Sequence, residues 1–305
     1  MENIILVAGA TGNLGERIVK ALLRLKADVR VIVRASSNAA KISHLENMGA
    51  QVFIVNNWNK EELTVACKNC SCVVSALAGL EETIIGAQKI LLDAAIEAGV
   101  LRFIPSDYSL DFTSFRDGEN RNLDLRRKFH VYLDSRPIAS TTIFNGAFAD
   151  LLKGEMPMIF LRKKLVLHWG NADRKLAFTT MDNTAEFTAH ASLDRGTPRY
   201  LHIAGDQVSA RDVKTIMIQL TGHKFRMIRT GGQHLLGLLI KIARAFSPGK
   251  DELYPAWQGM QYMHNMIDDR AQLSKPDNDR YPGMHWTSIQ EMLKAWLESE
   301  VAAKK

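Results

Sequence analysis

No run of apolar residues in this 305-residue chain is long enough to span a bilayer; the longest, His234 to Phe246, is interrupted by Lys241 and Arg244 and reads as an amphipathic helix. The chain opens without a charged leader and apolar stretch, so nothing marks it for secretion and a cytoplasmic setting is expected. Cysteine is scarce: three residues, all within Cys67-Lys68-Asn69-Cys70-Ser71-Cys72. A closed zinc site needs four ligands, and a redox C-x-x-C sits at a helix N-terminus, whereas this run ends a helix and enters a strand. The thiols therefore read as small apolar fillers, and no metal is expected. Pro/Gly/Ser-rich linkers, internal repeats and low-complexity segments are also missing. The net charge of +6 is dispersed among acidic residues, with denser spots only at Arg126-Arg127-Lys128 and Arg162-Lys163-Lys164 and no nucleic-acid motif beside them. Neither a nucleic acid nor a membrane is expected as partner. A small molecule is, and a homodimer is one assembly the chain could form.

What is present begins at the N-terminus. Ile4-Ile5-Leu6-Val7-Ala8 is a continuous apolar run of the kind a buried parallel strand shows, and it leads directly into Gly9-Ala10-Thr11-Gly12-Asn13-Leu14-Gly15. Glycines spaced G-x-x-G-x-x-G between a strand and a helix let backbone N–H groups and the positive helix end meet a pyrophosphate. An amphipathic helix follows, with Ile18, Val19, Leu22 and Leu23 on one face, and then a second strand, Val29 to Val33. Where an acid would bind the ribose hydroxyls of NAD, the chain has Arg34, 19 residues past Gly15, followed by Ser36, Ser37 and Lys41. Cations and hydroxyls match a 2′-phosphate, so the cofactor expected is NADP(H).

Strand and helix patterns then alternate: helix 39–48, strand 51–55, helix 60–68, strand 71–77, helix 82–98 ended by Gly99, strand 101–105. This pitch means a doubly wound parallel α/β sheet, the Rossmann architecture. Residues 1–150 would form the cofactor domain and residues 151–305 a smaller, mainly helical substrate-side region, intimately joined to it, with strands returning to the sheet. Ser75-Ala76-Leu77 at one strand end would let the cofactor approach the backbone, and Asn57-Trp58 lies at the same edge, where an adenine would be met. Helices expected over 208–220, 234–246 and 254–266 carry Trp257 and Tyr262 as candidate pocket walls, and Trp286 and Trp296 are placed on the terminal helical stretch.

The chain resembles the NmrA-like and isoflavone-reductase-like group of atypical short-chain dehydrogenases. The resemblance rests on Gly9 to Gly15, on the terminal Arg34, and on Arg102-Phe103-Ile104-Pro105-Ser106-Asp107-Tyr108 beside the family's R-F-x-P-S-E-F-G. It extends through Thr141-Thr142-Ile143-Phe144-Asn145-Gly146-Ala147-Phe148, Phe178 to Ala185 and Leu201 to Asp206. It implies that the end of the sixth strand, with Asn145 and Phe148, meets the nicotinamide. It also implies a catalytic lysine twelve residues ahead of Ile138, where this chain has Arg126, with Lys128 two positions on. Arginine does not readily release a proton, so Lys128 and Tyr108 are the candidate proton donors, although Lys128 lies about 200° round the helix from Arg126. The Tyr-x-x-x-Lys of short-chain dehydrogenases is absent, since Tyr132 is followed by Arg136 and Tyr108 by Phe112. Two functions stay open: an NADPH-dependent reductase of a small apolar or aromatic carbonyl or conjugated substrate, and a non-catalytic NADP(H) sensor or regulator.

Overall fold

The computed structural model describes residues 4–302; the outermost positions of the two expected regions, 1–3 and 303–305, lie outside the described residues. The first half of the chain alternates as its sequence suggests: β1 (Ile4–Ala8), α1 (Asn13–Arg24), β2 (Asp28–Arg34), α2 (Ala39–Asn47), β3 (Gln51–Val55), α3 (Lys60–Cys67), β4 (Cys70–Ser75), α4 (Gln88–Glu97) and β5 (Arg102–Ile104). After α5 (Arg121–Asp134) comes β6 (Ala139–Ser140), and the six strands form one parallel sheet in the order β3-β2-β1-β4-β5-β6. Side chains of β1 alternate between two buried layers, as a two-residue period requires. Ile5 and Val7 pack with Ile18 and Val31 on one face, while Leu6 and Ala8 pack with Leu91, Phe103 and Phe129 on the other.

The sixth strand departs from the sequence expectation. Its pairing with β5 ends early, and the chain continues as β7 (Thr142–Phe144), then β8 (Ala147–Phe148). Gly146 makes the break possible: its φ is +66°, and a Cβ there would lie 2.4 Å from the Ala177 carbonyl oxygen. β8 leaves to join β11 (Leu176–Thr179), which follows β9 (Ile159–Phe160) and β10 (Leu165–Trp169). The chain then re-enters the main body as α6 (Met181–Leu193), which packs on α1, and β12 (Tyr200–His202), which pairs with β7.

The remaining elements are β13 (Asp206–Val208), α7 (Ala210–Thr221), β14 (Arg226–Gly231), α8 (Gln233–Phe246), α9 (Ala256–Met266) and α10 (Ile289–Ala302). They share a third core that includes Phe112, Val166, Phe178, Met217, Leu236 and Ile289. Trp296 packs against this core, but Trp286 precedes α10 and meets the Phe187 ring instead. The helix expected over 82–98 begins as a wider π-turn, Glu82–Ala87, before α4. Cys67, Cys70 and Cys72 are buried, and burial pushes their thiols up to about 12, 11 and 12. Among the described residues no helix is long and apolar enough to cross a membrane, and no group of three or more His, Cys, Asp or Glu is arranged to hold a metal ion.

Candidate active site

The glycine turn sits at the carboxyl end of β1 and is built around contacts no side chain would permit. Gly9 has φ +85°, and a Cβ on it would lie 2.5 Å from the Ala76 carbonyl oxygen; one on Gly15 would lie 2.2 Å from the Gly9 carbonyl oxygen. The first contact fixes the turn to the end of β4 and the second lets α1 begin close behind it. Gly12 is the N-cap of α1 and offers no capping side chain, so the first backbone N–H groups of the helix, around Asn13 and Leu14, remain available to an anion. Lys41 crosses to this turn and donates from Nζ to the Thr11 carbonyl oxygen (2.9 Å). Arg34 and Ser36 are exposed at the end of β2, on the same rim. The expected set of Gly9, Thr11, Gly12, Asn13, Leu14, Gly15, Arg34, Ser36 and Lys41 therefore shares one end of the sheet.

Further along that edge, Ser106 ties three elements together. Its Oγ donates to the Leu77 carbonyl oxygen (2.7 Å), its N–H donates to Gln88 Oε1 (3.0 Å), and its carbonyl oxygen accepts from Arg126 Nε (3.2 Å). Ser75 and Asn145, at the ends of β4 and β7, are fully buried, and neither the Ser75 hydroxyl nor either polar atom of the Asn145 amide has a protein partner. Leaving such groups unpaired costs about 1–3 kcal/mol each, which fits polar atoms kept for a ligand. A polar carboxamide or ribose is chemically matched to them, and the steric cradle of Gly9 and Gly15 to a pyrophosphate. The residues present thus fit a dinucleotide.

The two expected proton donors are not brought to this edge. Lys128 is exposed on the solvent side of α5 with Val131, while Arg126 faces Ser106. Tyr108 is buried in the core beneath the sheet, its hydroxyl facing Thr188, and burial pushes it well above the ordinary tyrosine range. Trp58 is also committed elsewhere: its indole N–H donates to the Ala87 carbonyl oxygen (3.0 Å) and it packs inward, so it is not displayed for an adenine.

Sequence reasoning missed a buried cluster behind Ser106. Asp107 Oδ2 receives hydrogen bonds from His130 Nε2 (2.6 Å) and Thr142 Oγ1 (2.8 Å). The i+4 spacing of Arg126 and His130 puts both on one face of α5, and that was the available signal. A cavity of about 200 Å³ lies at the opposite, amino end of β4 to β6, lined by Ser71, Arg102, Ser192 and Asp194 among others. That is the wrong end of a parallel sheet for a nucleotide, and the Arg102 guanidinium there is already bound by Thr141, Thr197 and Arg195.

Parallel strand order, glycine turn and a site along the carboxyl edge define a Rossmann-class α/β protein. The chain belongs to the NmrA-like family, whose model matches residues 1–290. It is 24% identical over 311 residues to a bifunctional pinoresinol-lariciresinol reductase of Linum perenne, covering 96% of this chain and 98% of that one. Among solved structures it resembles an isoflavone reductase, with a TM-score of 0.81 at 19% identity over 97% of this chain and 100% of that one. It likewise resembles AtPrR2 with NADP+ and (+)-pinoresinol, with a TM-score of 0.79 at 22% identity over 97% and 99%.

Proposed function

We propose that the chain is an NADPH-dependent reductase of a small apolar or aromatic carbonyl or conjugated substrate. The observation that carries this reading is the coincidence, on one strand edge, of a glycine cradle with a cationic rim and of Arg126 fixed on the Ser106 carbonyl. A relative described as a pinoresinol-lariciresinol reductase, and the likeness to AtPrR2 solved with NADP+ and (+)-pinoresinol, support the same reading. Bound NADPH would supply a hydride to the substrate. Gly9, Gly12 and Gly15 would receive its pyrophosphate at the start of α1, and Arg34, Ser36 and Lys41 its 2′-phosphate. Ser75 and Asn145 would pair with the ribose and carboxamide, beside Ala76, Leu77 and Phe148. Arg126 would orient an oxygen on which negative charge develops.

The test is NADPH oxidation against chalcone, acetophenone, 1,4-benzoquinone and (+)-pinoresinol, with Arg34→Glu as the cofactor control. That variant is expected to weaken NADPH binding at least tenfold and NADH binding little, and equal losses would remove the 2′-phosphate assignment. A second reading is favoured by one feature: Arg126 stands where a lysine acid would act. On that reading the chain is a non-catalytic NADP(H) sensor. No turnover, together with an NADPH-dependent change in assembly on size exclusion, would establish it.

A further inference from the structure

α8 is apolar on two faces. Leu236 and Ile240 turn inward to the third core, and the helix packs on α9. α9 is itself seated on the first turn of α5 by fully buried amides: Asn120 Nδ2 donates to Asn265 Oδ1 (3.0 Å), and Gln258 Nε2 donates to Asn120 Oδ1 (2.7 Å). On the outer side Leu235, Leu238, Ile242 and Phe246 recur at a spacing of three or four and make one exposed stripe, in which Phe246 is 88% exposed. The stripe runs for about 17 Å along the helix. At its end the chain folds back, with the Trp257 indole N–H donating to the Ser247 carbonyl oxygen (3.1 Å), and Tyr254 on this loop is exposed as well. Arg121 Nη2 donates to the Glu252 and Leu253 carbonyl oxygens (2.8 and 3.0 Å). That ties the loop to the start of α5, ahead of the Arg126 that holds Ser106 at the carboxyl end of the sheet.

The charge of this part of the chain is of one sign. From Thr215 to Lys250 there is no Asp or Glu, and Lys224, Arg226, Arg229, Lys241, Arg244 and Lys250 are all exposed. These six cations equal the net charge of the whole chain, +6, so the rest of the protein is balanced. Among the described residues none of the six is in an ion pair. Whatever covers the stripe must therefore be apolar where it meets α8 and anionic around it. A second copy placed face to face would set these cations against themselves, and a nucleic acid would leave the stripe unmatched. A folded acidic protein would need polar groups to fix its register, and the stripe offers none. An anionic phospholipid surface has both properties and needs no register. We propose that α8 docks the protein on such a surface, with Leu235, Leu238, Ile242 and Phe246 at the acyl boundary and the cations at the level of the phosphates. The lack of a spanning run, from which no membrane partner is expected, does not bear on a helix that lies flat. Docking sets the carboxyl edge beside the phase in which an apolar substrate concentrates, but the proposal stands without the reductase reading.

The experiment is co-sedimentation of the full chain with vesicles of phosphatidylcholine alone and of phosphatidylcholine with about 30% phosphatidylglycerol. The chain should pellet with the anionic vesicles, and raising the salt from about 50 to about 500 mM should weaken that binding. Leu238→Glu with Phe246→Glu, both on the outer stripe, should lower the partition coefficient by about tenfold or more, with the melting temperature and circular dichroism retained. Lys241→Glu with Lys250→Glu should lower it as far while the apolar stripe stays intact. No pelleting of the unaltered chain, equal pelleting with both kinds of vesicle, or full binding by either double variant overturns the proposal. So does a concentration-dependent dimer on size exclusion that Leu238→Glu with Phe246→Glu abolishes, because a second copy would then cover the face. Should the apolar double variant fail to fold, the lysine double variant decides alone.

Discussion

Asp107 carries a charge in a place where water cannot help it. Burial alone would push its carboxyl up, but the His130 ring and, behind it, the Arg126 charge hold it below the usual carboxylate range. One oxygen takes both hydrogen bonds and the other, Oδ1, has none, so the group is balanced on a single partner set. Removing one member of a buried pair strands the other. His130→Ala is therefore expected to cost about 3 kcal/mol, read as a lower urea midpoint with an unchanged slope. The sign with pH follows from the depressed carboxyl. Its contribution is present above the unfolded carboxylate value of about 3.9 and is lost as the pH falls through the lower folded one. In the variant the stranded carboxyl titrates higher, so the gap between variant and parent should be widest near neutral pH and narrow in acid. A gap independent of pH would mean that His130 acts by packing alone, against Phe112.

At the scale of elements, the glycine turn shows which parts of the molecule a sequence can display. The contact that forces Gly15 is local to a strand, a turn and the helix after it, and the spacing of the glycines encodes it directly, whereas the one that forces Gly9 reaches across to the Ala76 carbonyl at the end of β4. Gly15→Ala must push α1 off the Gly9 carbonyl, and backbone cannot yield as a flexible side chain can. NADPH binding by this variant should be lost and the melting temperature lowered. Gly259, exposed in α9 with open space for 4 Å around the place a methyl group would take, is the opposite case. Gly259→Ala is expected to add about 0.5–1 kcal/mol by helix propensity alone, without loss of NADPH affinity. If both substitutions behaved alike, the close approach at Gly15 would not be what holds the turn. Arg34 and Ser75 were legible from their places at strand ends, while Asn145 and Arg126 were reached only through the family resemblance. The amides that seat α9 on α5 were not legible. Asn120, Gln258 and Asn265 are separated by well over a hundred positions from their partners and leave no periodic trace. Nor was the division of the sixth strand, which depends on Gly146 meeting Ala177 from a distant segment.

At the scale of the whole molecule, a boundary near residue 150 follows the change in sequence pattern and cuts across the packing. Phe187, Ala189, Leu201 and Ile203 come from the second half of the chain, yet they close the face of the main sheet with Ile5, Val7 and Ile18. β12 pairs with β7 in a separate two-stranded sheet, and Tyr281 and Trp286 pack on the Phe187 ring. Each large apolar side chain so buried contributes about 1.5–3 kcal/mol, and several together equal the whole net stability of a domain, about 5–15 kcal/mol. The first half therefore lacks the means to cover its own sheet, although it holds the entire glycine cradle. The full chain should unfold in one transition, coincident by far-ultraviolet circular dichroism and tryptophan fluorescence. A fragment of residues 1–150 should show no cooperative transition and should bind a hydrophobic dye. A fragment that instead melts cooperatively and binds NADPH would make α6 and β12 an accessory cover, and the two regions true domains. The packing argues against that outcome, because the side chains a cut would expose are the ones that hold α1 against the sheet, and α1 carries the helix end on which a dinucleotide would rest.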